Sequence, residues 1–270
     1  MLMRAISNRV QNWVARPLYN LYEKQLEREI RRELIPNHVG IILDGNRRFA
    51  RNHKMATVVK GHLYGAEKLR EMLRWCYEFN IPVITIWIFS LDNFDREDDE
   101  VKGLFHLIES KTREWLEDPE IHEKRVKFRY SGRTALLPES LQATIAEAES
   151  RTAKYNDFIL NIAIAYGGRE EITDAFRRYV EVSKEQGLSI DELQNQLQPE
   201  TLEPFLYTSG LPEPDLIIRT SGELRLSGFL LWQSAYAEYY FCDVLWPEFR
   251  RIDFLRALRS YSRRKRRYGK

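Results

Sequence analysis

From His38 onward two kinds of apolar pattern alternate along the chain. The first is a short run, apolar almost throughout, that ends in turn residues: HVGIILD (38–44), IPVITIWIFS (81–90), DFILNIAIAYGG (157–168), PDLIIRTSG (214–222) and YYFCDVLWPEF (239–249). KRVKFRYSG (124–132) joins them as an alternating run. Runs of this length and β-branched content predict strands, and strands apolar on both sides predict a parallel sheet covered on both faces. The second pattern places apolar residues three and four apart, as Leu69, Met72, Leu73 and Cys76 do within 66–80. It recurs over 100–117, 138–155, 169–187 (ended by Gly187) and 251–267, and predicts helices. The expected fold is α/β: a mostly parallel six-stranded sheet flanked by helices. No Pro/Gly/Ser-rich linker or repeat interrupts 35–270, so these residues are expected to form one domain.

Residues 1–34 are expected to be a helical extension, with Ile6, Val10, Trp13, Val14, Leu18 and Leu21 at helical spacing and Pro17 at a bend. A helix with Trp and flanking Arg4, Arg9 and Arg16 suits a membrane surface. It equally suits packing on the body of the protein or on a partner, the reading favoured here.

Composition narrows the class. A hydrophobic fraction of 43% with 30% charged residues suits a globular protein with a sizeable core. A net charge of +2 gives no argument for nucleic acid, although the end of the chain, RSYSRRKRRYGK, is basic. Cys76 and Cys242 stand far apart in apolar contexts and fit buried thiols of a cytoplasmic protein better than a zinc site. No apolar run is long enough for a membrane span, and the first residues lack the pattern of a secretory signal.

In open parallel sheets ligands gather beyond the carboxyl ends of the strands. There the sequence places Asp44, Gly45, Asn46 and Arg48; Ser90, Asp92, Asn93 and Arg96; Gly167, Gly168 and Arg169; and Arg219, Thr220, Ser221, Gly222, Arg225 and Ser227. An acid at such a rim can hold a metal or take a proton, arginines match diphosphate with paired donors, and glycines admit backbone N–H groups to phosphate oxygens. Taken singly, each has a purely structural reading: Asp44 as a helix cap, Arg169 as the ion-pair partner of Glu170 or Glu171, Gly167–Gly168 as a tight turn. Together they point to a phosphorylated, metal-bound substrate. The phosphate-loop, dinucleotide and hydrolase-elbow motifs are missing, as is the paired-aspartate helix motif of trans-type prenyl synthases.

HVGIILDGNRRFAR, GHLYGAEKL, IFSLDNFDR, NIAIAYGGREEI and the long DLIIRTSGELRLSGFLLWQSAYAEYYFCDVLWPEF together resemble the cis-prenyltransferases, the undecaprenyl diphosphate synthase family, from His38 to the last helix. The resemblance implies a homodimeric fold with an apolar tunnel and an isoprenyl transferase of isoprenoid biosynthesis. Isopentenyl diphosphate would be joined to an allylic diphosphate with Mg²⁺, creating a cis double bond. It implies that Asp44 engages the metal and aids departure of the allylic diphosphate, which Gly45, Asn46, Arg47, Arg48 and Phe49 (Trp in most relatives) hold with His62 nearby. Ser90, Leu91, Asp92 and Asn93, with Phe94 and Arg96, would lie against the reacting carbons. Asn93 is assigned a proton-accepting role in the family; an amide is a poor base, so positioning is expected here. Arg219, Arg225, Leu226 and Ser227 would take isopentenyl diphosphate, and Glu238 would join the metal.

Three departures from the family pattern stand out. The loop KMATVVKGH is one residue longer than usual and lacks its arginine, leaving Lys54 or Lys60 as replacements. Leu224 replaces a histidine that many long-chain members link to the metal. Ile88 stands where those members have a small residue, with Phe158 on the next apolar strand; both are expected to shorten the tunnel. The sequence therefore leans to a short, Z-farnesyl-like product, with an undecaprenyl-type product and a non-catalytic partner subunit as alternatives. Peripheral membrane contact is a further expectation.

Overall fold

The computed structural model describes residues 19, 21–30 and 34–263, so most of the expected N-terminal helix and the basic end lie outside the described residues. Residues 21–29 are helical and form α1. The elements that follow are β1 (His38–Ile42), α2 (Asn46–Asn52), α3 (Val58–Glu78), β2 (Val83–Ser90), α4 (Asp98–Leu116), α5 (Pro119–Glu123), β3 (Val126–Ser131), α6 (Glu139–Thr152), β4 (Phe158–Tyr166), α7 (Gly168–Glu185), α8 (Ile190–Gln196), α9 (Pro199–Leu202), β5 (Leu216–Arg219), β6 (Glu238–Phe241) and α10 (Arg251–Arg263). The strands make one sheet in the order β3-β4-β2-β1-β5-β6. Every pairing is parallel. The chain leaves β1 toward β2 on one side and returns to β5 on the other. The crevice between β1 and β5 is thus the switch point where α/β sheets bind ligands.

One sheet face presents Val39, Ile41, Ile84, Ile86, Leu160, Ile162 and Ile218 to α3, α10 and the end of α4. Leu26 of α1, fully buried, belongs to this core, and Glu27 and Glu29 pair with Arg251 and Arg259 of α10. The described part of the extension is thus packed on the body. β3 forms one edge and alternates because only one of its faces is well covered. The centre of the sheet carries a bulge: Trp87 faces Ala163, Phe89 faces Ile164 and Ser90 faces Tyr166. Ile88 and Ala165 (φ 46°) are left as extra residues.

A row of buried polar side chains crosses the other face. Pro212 O can only accept, so the His38 Nδ1–H donates to it at 2.7 Å, and Nε2 accepts the Thr85 hydroxyl at 2.8 Å. Asn161 Nδ2 donates to Thr85 Oγ1 and Ser131 Oγ to Asn161 Oδ1. Burial depresses the His38 pKa to about 4, against the opposing pull of the Pro212 carbonyl and Asp215. In the unfolded chain histidine titrates near 6.5, so its neutral form supports folding fully above that pH. The contribution is lost as pH falls from about 6.5 to about 4, amounting to about 3 kcal/mol. Urea unfolding at a series of pH values is expected to show this slope, and the variant His38→Gln a shallower one.

Candidate active site

Beyond the carboxyl ends of β1 and β5 the chain builds an ion pair. Arg219 Nη2 donates to Asp44 Oδ2 at 2.8 Å, and its Nη1 donates to the carbonyl of Arg225 and to Ser227 Oγ. The guanidinium side chain is 5% exposed and the carboxylate 34%, so the pair shows its acidic end to the crevice. The loop after β5 turns back through left-handed residues Ser221, Gly222, Ser227, Gly228 and Leu230. Arg219 therefore orients Asp44 and braces the backbone that carries Ser227.

Asp44 leads through Gly45 (φ 111°) directly into α2. This helix lies hard against α3 because Gly61 and Gly65 give it room. A Cβ on Gly65 would stand 2.3 Å from Asn46 Oδ1, and one on Gly61 would stand 2.2 Å from Asn46 O. Asn46 is buried, with Nδ2 donating to Leu43 O. Arg47 and Arg96 converge on the buried carboxylate of Glu100, at 3.2 and 3.0 Å. Arg48 donates to Ser221 O and reaches Glu223, bridging the two rim loops. His62 is held neutral: burial, then Arg96 and Arg47, push its pKa down to about 3. After β2, the Leu91–Asp95 turn is closed by the Ser90 N–H donating to Asn93 Oδ1 at 3.1 Å. That bond fixes the orientation of the amide at the mouth of the channel.

These groups surround a cavity of about 430 Å³. Its mouth carries Asp44, Gly45, Asn46, Arg47, Arg48, His62, Ser90, Asn93, Arg96, Arg219 and Ser227, and it runs down between the sheet, α3 and α4 past Ile88, Leu69, Ile108 and Ile162 to Trp115. Asn46 Oδ1, Arg47 Nε, His62 Nε2, Trp87 Nε1 and Arg219 Nε are buried without a partner, and all five belong to residues lining this space. Buried polar groups are seldom left so. Their concentration here marks a polar ligand above an apolar channel.

Several expected residues lie elsewhere. Phe49 is buried and stacks on His53 and Tyr64, behind the mouth. Phe94 packs on Phe89 and Phe105, Leu91 is half-buried against the same cluster, and Leu226 packs in a cluster around Phe229. Asp92 is exposed, as is Arg225, which pairs with Glu223. Leu224 is 77% exposed. Phe158 does not line the cavity: it begins β4, at the far end of the sheet, against Tyr77. Glu238 begins β6 opposite Leu216, level with Val39, whereas Asp44 stands beyond the other end of β1. Within one chain the two acids are not brought together. Neither Lys54 nor Lys60 lines the cavity; Arg51, on the α2 face beside Arg48, does. Sequence reading missed Arg51 as a site cation, although its spacing along the same short helix was available. It also missed Glu100, the common anchor of two arginines.

A third omission lies beneath the rim. Glu171 is fully buried and accepts from the Tyr166 hydroxyl at 2.5 Å, Gln233 Nε2 at 2.9 Å and the Tyr207 N–H at 2.9 Å. Tyr166 Oη in turn accepts the N–H of left-handed Leu230. Burial raises the Glu171 pKa against the pull of these donors. Gly167–Gly168 has a structural explanation, since a Cβ on Gly168 would stand 2.3 Å from Gly228 O. The start of α7 and the loop after β5 are in contact there.

Among the described residues no three His, Cys, Asp or Glu side chains cluster as a closed metal cage. Magnesium commonly sits on one or two carboxylates plus substrate phosphates. Asp44, partly exposed at the edge of a cavity rich in phosphate-type donors, fits such a shared ion.

A parallel sheet with a diphosphate-type rim above an apolar channel defines a class of prenyl transferases, and the comparisons agree. Residues 42–269 match the family model described as putative undecaprenyl diphosphate synthase, and the chain belongs to that family. It is 51% identical to an isoprenyl transferase of Thermus thermophilus over 95% of this chain and 97% of that one. It is 44% identical, over the whole of both chains, to the tritrans,polycis-undecaprenyl-diphosphate synthase (geranylgeranyl-diphosphate specific) of Pyrococcus horikoshii. The crystal structure of lavandulyl diphosphate synthase from Lavandula x intermedia, in complex with dimethylallyl diphosphate, superposes with a TM-score of 0.82 at 36% identity, covering 88% of this chain and 100% of that one. The protein is therefore a transferase that elongates isoprenyl chains in the cis sense.

Proposed function

We propose that the enzyme extends an allylic diphosphate with isopentenyl diphosphate to a long polycis product. What supports this reading best is the full-length similarity to long-chain synthases together with a channel that continues past Ile88 to Trp115. The α2 backbone with Arg47, Arg48, Arg51 and His62 would hold the allylic diphosphate, and Arg219 and Ser227 the isopentenyl one. Arg225 and Glu238 would act outside this cavity, at the subunit contact of a homodimer. Asp44 would hold Mg²⁺, which would supply neutralisation of the charge on the leaving group. The residues do the rest: guanidiniums fixed by Glu100 and Glu223 offer donors that need no rearrangement as charge develops, Asn93 orients the reacting ends, and the channel keeps water from the allylic carbon. Residues 35–270 would form the whole catalytic unit, working in the cytoplasm with its product end near a membrane surface.

The test is incubation of the pure enzyme with labelled isopentenyl diphosphate, Mg²⁺ and geranyl, farnesyl or geranylgeranyl diphosphate, with products sized by mass. Chains of ten or more isoprene units support the reading; a product that stops after one or two additions supports the shorter alternative. Ile88 favours that alternative, because its side chain lines the channel. The variant Ile88→Ala is expected to lengthen the product, and an unchanged distribution would remove Ile88 as a stop.

A further inference from the structure

The channel wall between α3 and α4 changes character along its length. Near the mouth Gly103 packs closely on Val59, leaving no room for even a methyl group without displacement. Lower down, long charged side chains bridge the helices. Lys111 Nζ lies 2.5 Å from Glu67 and 2.6 Å from Glu114; Arg70 lies 2.8 Å from Glu114 and 2.6 Å from Asp118; Arg74 reaches Glu120 at 2.8 Å. Lys111 itself lines the channel. Just past Trp115 a small second cavity lies beneath the Arg70–Asp118 and Arg74–Glu120 pairs, with Trp115 as the shared wall.

The α4 residues that line the channel run from Leu104 to Trp115, about 16 Å of helix. An isoprene unit adds four chain bonds, roughly 5 Å when extended, so about three units fill that span. A longer hydrocarbon has to leave sideways or displace the floor. The sheet side is closed by backbone ladders, whereas partly exposed ion pairs are weakly held. We propose that this ionic seam is the length gate and side exit: while Glu67–Lys111–Glu114–Arg70 is paired the chain is confined, and the tail of a long product passes where those pairs part. Glu67, Arg70 and Lys111 thereby become specificity-determining residues. This rests on the chain-elongating reading above.

Charge reversal tests it. In the variant Glu67→Lys, the new lysine opposes Lys111; in Lys111→Glu, three acids face one another. Both are expected to shift the mean product up by two or more isoprene units. The double variant Glu67→Lys/Lys111→Glu restores the pair and is expected to return the parent distribution. Glu67 is 55% exposed, so Glu67→Lys is the variant that keeps the test available if Lys111→Glu does not fold. Its single-turnover rate of first condensation should stay within twofold of the parent. Parent-like products from Glu67→Lys, or no restoration by the double variant, would overturn the gate. Absence of any condensation by the parent enzyme would instead defeat the proposed function.

Discussion

Replacing Asp44 by alanine is expected to lower kcat/KM by about 10²–10³-fold, the usual loss when a group that stabilises developing charge is removed. The carboxylate is the acidic group that the strand ends place against Arg219 and, among the described residues, the sole carboxylate lining the cavity. Two effects combine. The site loses its protein ligand for a shared cation, and Arg219 keeps a buried charge without its partner. Asp44→Asn separates them: the amide oxygen can still accept from Nη2, so folding should survive while activity falls. Steady-state kinetics on both variants, with urea unfolding alongside, checks this. If Asp44→Ala condenses substrate at the parent rate, the site assignment fails.

Glu171→Ala is expected to cost about 3 kcal/mol or more of stability and to raise KM for isopentenyl diphosphate more than it lowers kcat. The change strands the Tyr166 hydroxyl proton and the Tyr207 N–H, and leaves the Gln233 amide with Thr208 as its remaining partner. Each unsatisfied group costs about 1–3 kcal/mol. The kinetic effect follows from the Tyr166–Leu230 bond, which helps to hold the left-handed backbone next to Ser227. Glu171→Gln, with one oxygen and one NH₂, should lie between. Denaturation midpoints and separate KM and kcat values decide; a stability loss with an unchanged KM would show that the network is only structural.

The sheet was legible because parallel strands buried on both faces leave continuous apolar runs: β1, β2, β4 and β5 each fall inside a run read from sequence. β6 is shorter than its run, since the chain leaves the sheet edge after Phe241. The rim was legible as residue types, but not as geometry. α2 is absent from the helices that periodicity predicts, because seven residues are too few to show a helical period. Glu100 and Glu171 sit in ordinary helical sequence; the Arg96–Glu100 spacing is local, but nothing local reveals that Arg47 of α2 joins Glu100 or that Tyr207 and Gln233 meet Glu171. Ile88 shares the alternation of Ile84 and Ile86, so its face was legible, whereas the bulge beside it arises from pairing with β4 and was not. The strand pattern alone suggests Phe158 as a second stop. Its place at the start of β4 puts it below the floor.

The hydrogen-bonded file from His38 through Thr85 and Asn161 to Ser131 also has a mechanical meaning. It stitches β1, β2, β4 and β3 along a diagonal of the sheet, each linked to its neighbour by side chains as well as backbone. A slip of one residue between strands would move a rim group by about 3.3 Å and turn its side chain to the opposite face. Because β1 carries Asp44 and β2 carries Ser90, the stitching keys the heights at which the acid and the turn meet their substrates. Side chains in the middle of the sheet thereby set the alignment at the reacting end.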